Sequence, residues 1–142
     1  MDEDTIHELI TKALEARRNS YSPYSHYAVG AAVLAESGKI YGGCNVENAS
    51  YGGTVCAERV AIFSAAAAGE RRLKALAVIG GPADAQDEMP GEAAPCGICR
   101  QVMREFGDPA AFEVIIAKSI KDYRIFKLEE LLPESFGPEA LK

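Results

Sequence analysis

Four positions carry residue types that could do chemistry together. Cys56 and Glu58 lie in "TVCAERVA" (54–61), and Cys96 and Cys99 lie in "PCGICRQ" (95–101). Thiolates in a tetrahedral array suit zinc. Residues i and i+3 share a helix face, so Cys96 and Cys99 could address one ion from a helix's first turn. The positive end of the helix dipole favours the thiolate form there. Cys56 would add a third ligand from the start of another helix. Three protein ligands leave a position for water and make a zinc site catalytic, whereas a fourth closes it. Cys44, in "GCNVEN", is the one residue that could complete an all-thiolate site. It falls at a strand end, where a buried free thiol is ordinary, so the spacing favours an open three-cysteine site. A CxxC redox pair is the other reading, and it would not need Cys56. Glu58 could take a proton from a metal-held water and deliver it elsewhere. A glutamate at a helix start is also a common dipole-stabilised feature, and only the downstream cysteines tip the balance toward proton transfer.

These residues need elements to hold them. Residues 4–18 place Ile6, Leu9, Ile10, Ala13, Leu14 and Arg17 at helical spacing, with an acidic first turn and a basic last turn. "NSYSPYSH" reads as a loop. "YAVGAAVLAE" and "KIYGGCNV" read as a hairpin. Residues 54–69 are apolar, alanine-rich and stop at Gly69, which predicts a helix with a glycine cap. "LKALAVIGG" predicts a buried strand. Residues 82–94 form a Pro/Gly/acidic loop, and "CGICRQVMREFG" predicts a helix. "AFEVIIAK" and "YRIFKL" predict two more strands, followed by a helical turn and an irregular tail. The order α-β-β-α-β-α-β-β-α predicts an α/β fold: a three-layer α/β/α sandwich around a mixed five-stranded sheet. Both cysteine segments open a helix beside a strand end, where ligands gather in such sheets.

Length and composition narrow the function. A chain of 142 residues suits one domain, residues 1–142, with a core large enough to fold without a metal. The net charge of −6 argues against a nucleic-acid partner, which attracts clustered Lys and Arg. No apolar run approaches the roughly 18 residues of a membrane span. "MDEDTIHELI" has neither the basic nor the apolar part of a secretory signal, so a reducing, cytoplasmic setting is expected. There, metal binding or catalysis is the expected use of cysteines.

Taken in order, "CNVENASYGG", "VCAERVAIFSAA" and "PCGICRQVMREFG" resemble the small homotetrameric cytidine deaminases of pyrimidine salvage. The similarity runs from "YSPYSHYAVGAAV" to "ELLPESFGPEAL". It matches the zinc deaminase pattern of a ligand two residues before a glutamate, then P-C-x-x-C, with Cys in place of His. The resemblance implies Zn2+ on Cys56, Cys96 and Cys99, with Glu58 as proton shuttle. It implies hydrolysis of cytidine and 2′-deoxycytidine to uridine and 2′-deoxyuridine plus ammonia, by addition of zinc-activated water at C4. Asn45 and Glu47 match ribose-binding positions, and the Ala57 backbone a contact to the base. Tyr27 stands where many members have a Phe against the nucleoside. Phe136 matches an aromatic that reaches a neighbouring subunit's site, and Tyr51 falls at a shared site across an interface. Homotetramer assembly is thus also implied.

Arg59 has a physical role to suggest. Zinc with three thiolates carries net charge −1, and an arginine donating to the sulfurs would restore Lewis acidity. Ile98 replaces the usual Ala of "PCGAC", Ala94 replaces a frequent Ser, and the 82–94 loop looks long. These departures bear on the shape of the base pocket. Rival readings are a deaminase of another aminopyrimidine nucleoside such as blasticidin S, a zinc-stapled interaction module using Cys44, and an editor of cytosine in nucleic acid. "NVEN" speaks against the first, and the acidic charge against the last.

Overall fold

The apolar stripe of residues 6–17 is covered as its period requires. The computed structural model describes residues 1–142. Helix α1 spans Glu3–Arg17, and the Asp2 side chain caps it by accepting from the Thr5 N–H at 2.8 Å. Ile6, Leu9, Ile10, Ala13, Leu14 and Arg17 are its buried residues. The strands are β1 (Tyr27–Ala35), β2 (Ile40–Cys44), β3 (Leu73–Pro82), β4 (Glu113–Ala117) and β5 (Tyr123–Lys127), in the order β2-β1-β3-β4-β5. Only β3 and β4 are parallel; the other neighbours are antiparallel. Helix α2 (Ala57–Ala67) follows β2, helix α3 (Gly97–Phe106) links β3 to β4, and a short α4 (Leu128–Leu131) follows β5.

Side chains alternate across the strands and build two cores. Ala32, Leu34, Ala75, Ala77, Ile79 and Ile115 meet α1 on one face. Val33, Leu76, Val78, Val114 and Ile116 meet Ala61, Ile62, Cys99 and Met103 of α2 and α3 on the other. The expected three-layer α/β/α sandwich with a mixed five-stranded sheet is therefore the observed architecture. Each buried Leu or Ile contributes about 1.5–3 kcal/mol to it.

Three local differences from the sequence reading have physical causes. The second helix is shorter than residues 54–69, because Cys56 keeps an extended backbone (φ −71°, ψ 153°) and serves as its N-cap. Cys96 likewise caps α3 rather than lying within its first turn. Strand β2 ends at Cys44, since Val46 turns away to isolated bridges with Tyr21 and Val55.

Arg17 is more than the basic end of a helix. Its guanidinium is buried and donates to the carbonyls of Ala28, Gly81, Pro82 and Ala85 at 2.7–3.2 Å. It thus joins α1, β1 and the start of the 83–96 segment, satisfying carbonyls that burial would otherwise leave unpaired.

Register brings the sequence-distant parts to one sheet end. Cys44 pairs with Gly30, Gly30 with Ile79, and Ile79 with Ala117. Helix α2 reaches this end by pressing on β2 at Gly43. A Cβ there would lie 2.4 Å from the Ala61 nitrogen and 2.7 Å from the Ala57 carbonyl. Gly43→Ala is expected to push α2 away and lower stability by about 1–3 kcal/mol, measured by urea unfolding. A midpoint equal to the parent's would show that the approach is not tight.

Candidate metal centre

Two helix N-termini meet at that sheet end and bring three sulfurs together. The sulfur atoms of Cys56, Cys96 and Cys99 all lie within 4.8 Å of one another. Cys56 to Cys96 is 3.8 Å and Cys96 to Cys99 is 3.4 Å. Zinc bonded to thiolates at about 2.3 Å in a tetrahedron requires sulfurs about 3.8 Å apart, so the donor set fits that ion. Cys44 is not part of the cluster and its thiol is pushed up by burial. The closed four-cysteine site does not form, and a two-cysteine redox pair does not describe three converging thiols.

Local charge is arranged for thiolate. The Cys99 thiol and then the Arg59 guanidinium hydrogen-bond Cys56 and lower its pKa to about 5 against the cost of burial. Cys99, in the core beside that thiolate, is pushed up. Arg59 Nη2 lies 3.5 Å from the Cys56 sulfur, and its Nε is buried with no partner. The sequence reading of Arg59 as a donor to sulfur agrees with this placement.

Beside the sulfurs lies a cavity of ≈ 370 Å³. Cys56, Cys96, Glu58, Ala57, Asn45 and Tyr27 line it, while Cys99 sits behind them. Glu58 is only 4% exposed. Burial, and secondarily the Cys56 thiolate, raise its carboxyl to about 7, the range a proton carrier near neutral pH needs.

The remaining sequence-proposed residues divide into three groups. Asn45 lines the cavity but spends most of its amide on the chain itself. Its oxygen accepts from the Val29 N–H and the Ser20 hydroxyl, and its nitrogen donates to the Tyr27 carbonyl at 2.8 Å. One N–H is left for a ligand. Glu47 lines an adjoining depression with Tyr24, Ser25, Tyr51 and Thr54. Its carboxylate accepts from the Tyr24 and Ser25 N–H groups and the Ser25 hydroxyl, which holds its pKa down. Tyr27 lies on the cavity wall with its hydroxyl 3.4 Å from the Gly80 carbonyl. Tyr51 is 78% and Phe136 62% exposed, and neither lines the cavity beside the sulfurs. Ile98 is also 62% exposed and does not line this chain's own cavity.

Ala94, noted in the sequence for replacing a frequent Ser, lines the cavity, and so do Glu92 and Ala93, which the sequence reading did not single out. Their signal was positional: these residues immediately precede Pro95 and Cys96. Ser20, which orients Asn45, carried no signal beyond lying in a loop.

The comparisons agree with this geometry. The family model for the cytidine and deoxycytidylate deaminase zinc-binding region matches residues 3–115. The cytidine deaminase of Sporosarcina psychrophila is 43% identical over 136 residues, covering 96% of this chain and 94% of its own. That of Halalkalibacterium halodurans is 44% identical over 133 residues, covering 94% and 95%. Among solved structures, the cytidine deaminase from Burkholderia pseudomallei aligns with a TM-score of 0.80 at 48% identity, over 92% of this chain and 98% of that one. The cytidine deaminase from Mycobacterium tuberculosis aligns with a TM-score of 0.73 at 38% identity, over 92% and 95%. With its three-thiol centre at the meeting of two helix starts, this chain belongs to the cytidine and deoxycytidylate deaminase zinc-binding family.

Proposed function

We propose that the chain is a zinc-dependent cytidine deaminase that hydrolyses cytidine and 2′-deoxycytidine to uridine and 2′-deoxyuridine plus ammonia, in pyrimidine salvage. The observation that carries this reading is the buried Glu58 carboxylate two residues from one of three clustered thiols, beside a nucleoside-sized cavity. Family membership supports it, since the relatives reported above are cytidine deaminases. Deamination of blasticidin S has no such support.

Cys56, Cys96 and Cys99 would hold the zinc, which when bound would lower the pKa of a water at the site toward neutrality. Glu58 would take a proton from the attacking water and deliver it to N3 of the ring, which makes C4 electrophilic for addition of the water oxygen. Glu58 then carries the proton of the new C4 hydroxyl to the exocyclic amine. The C4–N4 bond breaks, ammonia leaves and the C4 carbonyl forms. One carboxylate serves both transfers because they are successive. Arg59 draws charge from the Cys56 sulfur and so preserves the acidity of the ion. The Ala57 backbone contacts the base and Tyr27 packs against the nucleoside. The free N–H of Asn45 and the remaining acceptor capacity of Glu47 bind the ribose hydroxyls.

The lining favours a nucleoside over a nucleotide. Glu58 and Glu92 line the cavity and Glu47 the adjoining depression, with no Lys or Arg in either. A 5′-phosphate would enter a field of carboxylates without a charge-assisted donor. The acidic chain, net −6, equally disfavours polynucleotide substrates.

The proposal extends to the assembly. Residues 1–142 act as one catalytic domain in a homotetramer, where exposed Tyr51 and Phe136 complete neighbouring sites. No helix is long and apolar enough to cross a membrane, and the thiolate centre suits the reducing cytoplasm.

Glu58→Gln is expected to retain about one zinc per chain and to lose about 100- to 10,000-fold in kcat. Metal analysis and the ultraviolet change on cytidine conversion measure the two effects. Turnover near the parent's would remove Glu58 from the mechanism. Deoxycytidine is expected to exceed deoxycytidylate by about 100-fold or more in kcat/KM, the scale of a missing charged hydrogen bond. Comparable values would refute the charge argument.

A further inference from the structure

The Glu92–Ala94 part of the cavity wall is held in an unusual way. Residues 90–94 make no main-chain hydrogen bond within the protein. The segment is pinned at its ends. Before it, buried Met89 donates its N–H to the Lys118 carbonyl at 2.8 Å. After it, the Pro95 carbonyl accepts from Arg100 Nε at 2.8 Å. Between these pins the one polar tether is Glu92, whose two carboxylate oxygens accept from Arg124 Nε at 2.8 Å and Nη2 at 2.7 Å.

Arg124 lies on β5, the edge strand, opposite Ile116 of β4. Its guanidinium sits 4.9 Å from the Phe126 ring centroid, two residues along on the same strand face. A planar fork already laid on a ring loses little freedom in forming a paired contact. Beside Glu92, the Ala93 methyl fits the space that a side chain at Gly80 would take, 3.0 Å from such a Cβ. The pair therefore sets how closely Glu92, Ala93 and Ala94 approach the cavity that Tyr27, Asn45 and Glu58 also line.

Resting on the deaminase reading above, we propose that Arg124 is a positioning residue that, through its two-pronged contact with Glu92, holds the Glu92–Ala94 wall against the bound nucleoside. Arg124 is not on the cavity lining and acts only through Glu92. Its contribution belongs to binding rather than to proton transfer. The pair is solvent-facing, with Arg124 the more exposed partner, so salt weakens it. Cytidine is neutral, so salt dependence of its KM reports the wall rather than the ligand.

The test compares the zinc-loaded full chain with Arg124→Gln, Arg124→Lys and the charge swap Glu92→Arg/Arg124→Glu. Arg124→Gln is expected to raise KM for cytidine roughly three- to fivefold, the scale of an exposed paired charge, with kcat within about twofold and with zinc content and melting temperature unchanged. Arg124→Lys should fall between, and the swap should recover most of the lost affinity. KM of the parent should rise from about 0.05 to about 0.5 M salt, and that of Arg124→Gln should not. Amide order parameters of residues 91–94 should fall in Arg124→Gln. An unchanged KM, or a joint fall in kcat, zinc and melting temperature, would overturn the proposal. A parent that does not deaminate cytidine would defeat the deaminase reading instead. In that case unchanged order parameters across residues 91–94 would by themselves overturn the positioning role.

Discussion

Three thiols and a carboxylate crowded into one small volume set the electrostatic constraint on this molecule. The sulfurs lie within 4.8 Å of one another, and to hold a divalent cation all must be thiolates. Uncompensated, such a cluster would repel itself and retain its protons. Three sources of positive potential answer it. Cys56 and Cys96 are the N-caps of α2 and α3, where the helix dipoles favour anions. Arg59 donates to the Cys56 sulfur from the first turn of α2. The cation itself supplies the rest. Burial of Glu58 beside this cluster raises its carboxyl to about 7, so the same crowding that asks for a metal also tunes the proton carrier.

The fold serves that constraint by delivering two helix starts to one point. Antiparallel pairing of β1 with β2 and β3 puts Cys44, Gly30 and Ile79 side by side at one sheet end. Helices α2 and α3 then share the face above Val33, Leu76 and Val114. The small residues along α2 let it lie close to the sheet, and Gly43 removes the side chain that would stand between them. On the opposite face α1 contributes Arg17, whose guanidinium holds the carbonyls where β3 gives way to the long connection toward Cys96. Damage there would reach the metal centre through the backbone rather than through any contact with sulfur.

The polar residues around the cavity illustrate how sparingly a small site spends its hydrogen-bonding capacity. Asn45 and Glu47 bind their own chain first, to β1 and to the 22–26 turn. What remains for a ligand is one amide N–H and part of a carboxylate. Such pre-oriented groups pay little entropy on binding. The exposed Tyr51 and Phe136, by contrast, lie outside this chain's own cavity.

Local patterns carried much of this into the sequence. The stripe from Ile6 to Arg17, the alternation through β1 and β3 and the Cys96/Cys99 spacing depend on helix and strand periods, which neighbouring residues set by short-range sterics. The cysteine and glutamate types, with the order of their motifs, pointed to a zinc deaminase before any coordinates. Spacing favoured the open three-cysteine site, but only the tertiary structure brings Cys56, 40 positions before Cys96 in sequence, to Cys96 and Cys99 while Cys44, nearer in sequence to Cys56, stays apart. It also decided that Arg17 is a buried carbonyl knot, that Ile98 is exposed and off the cavity lining, and that Glu92 on a loop meets Arg124 on an edge strand. These are outcomes of how layers pack and strands register. No short window encodes them, because each depends on the distance between surfaces that the whole core determines.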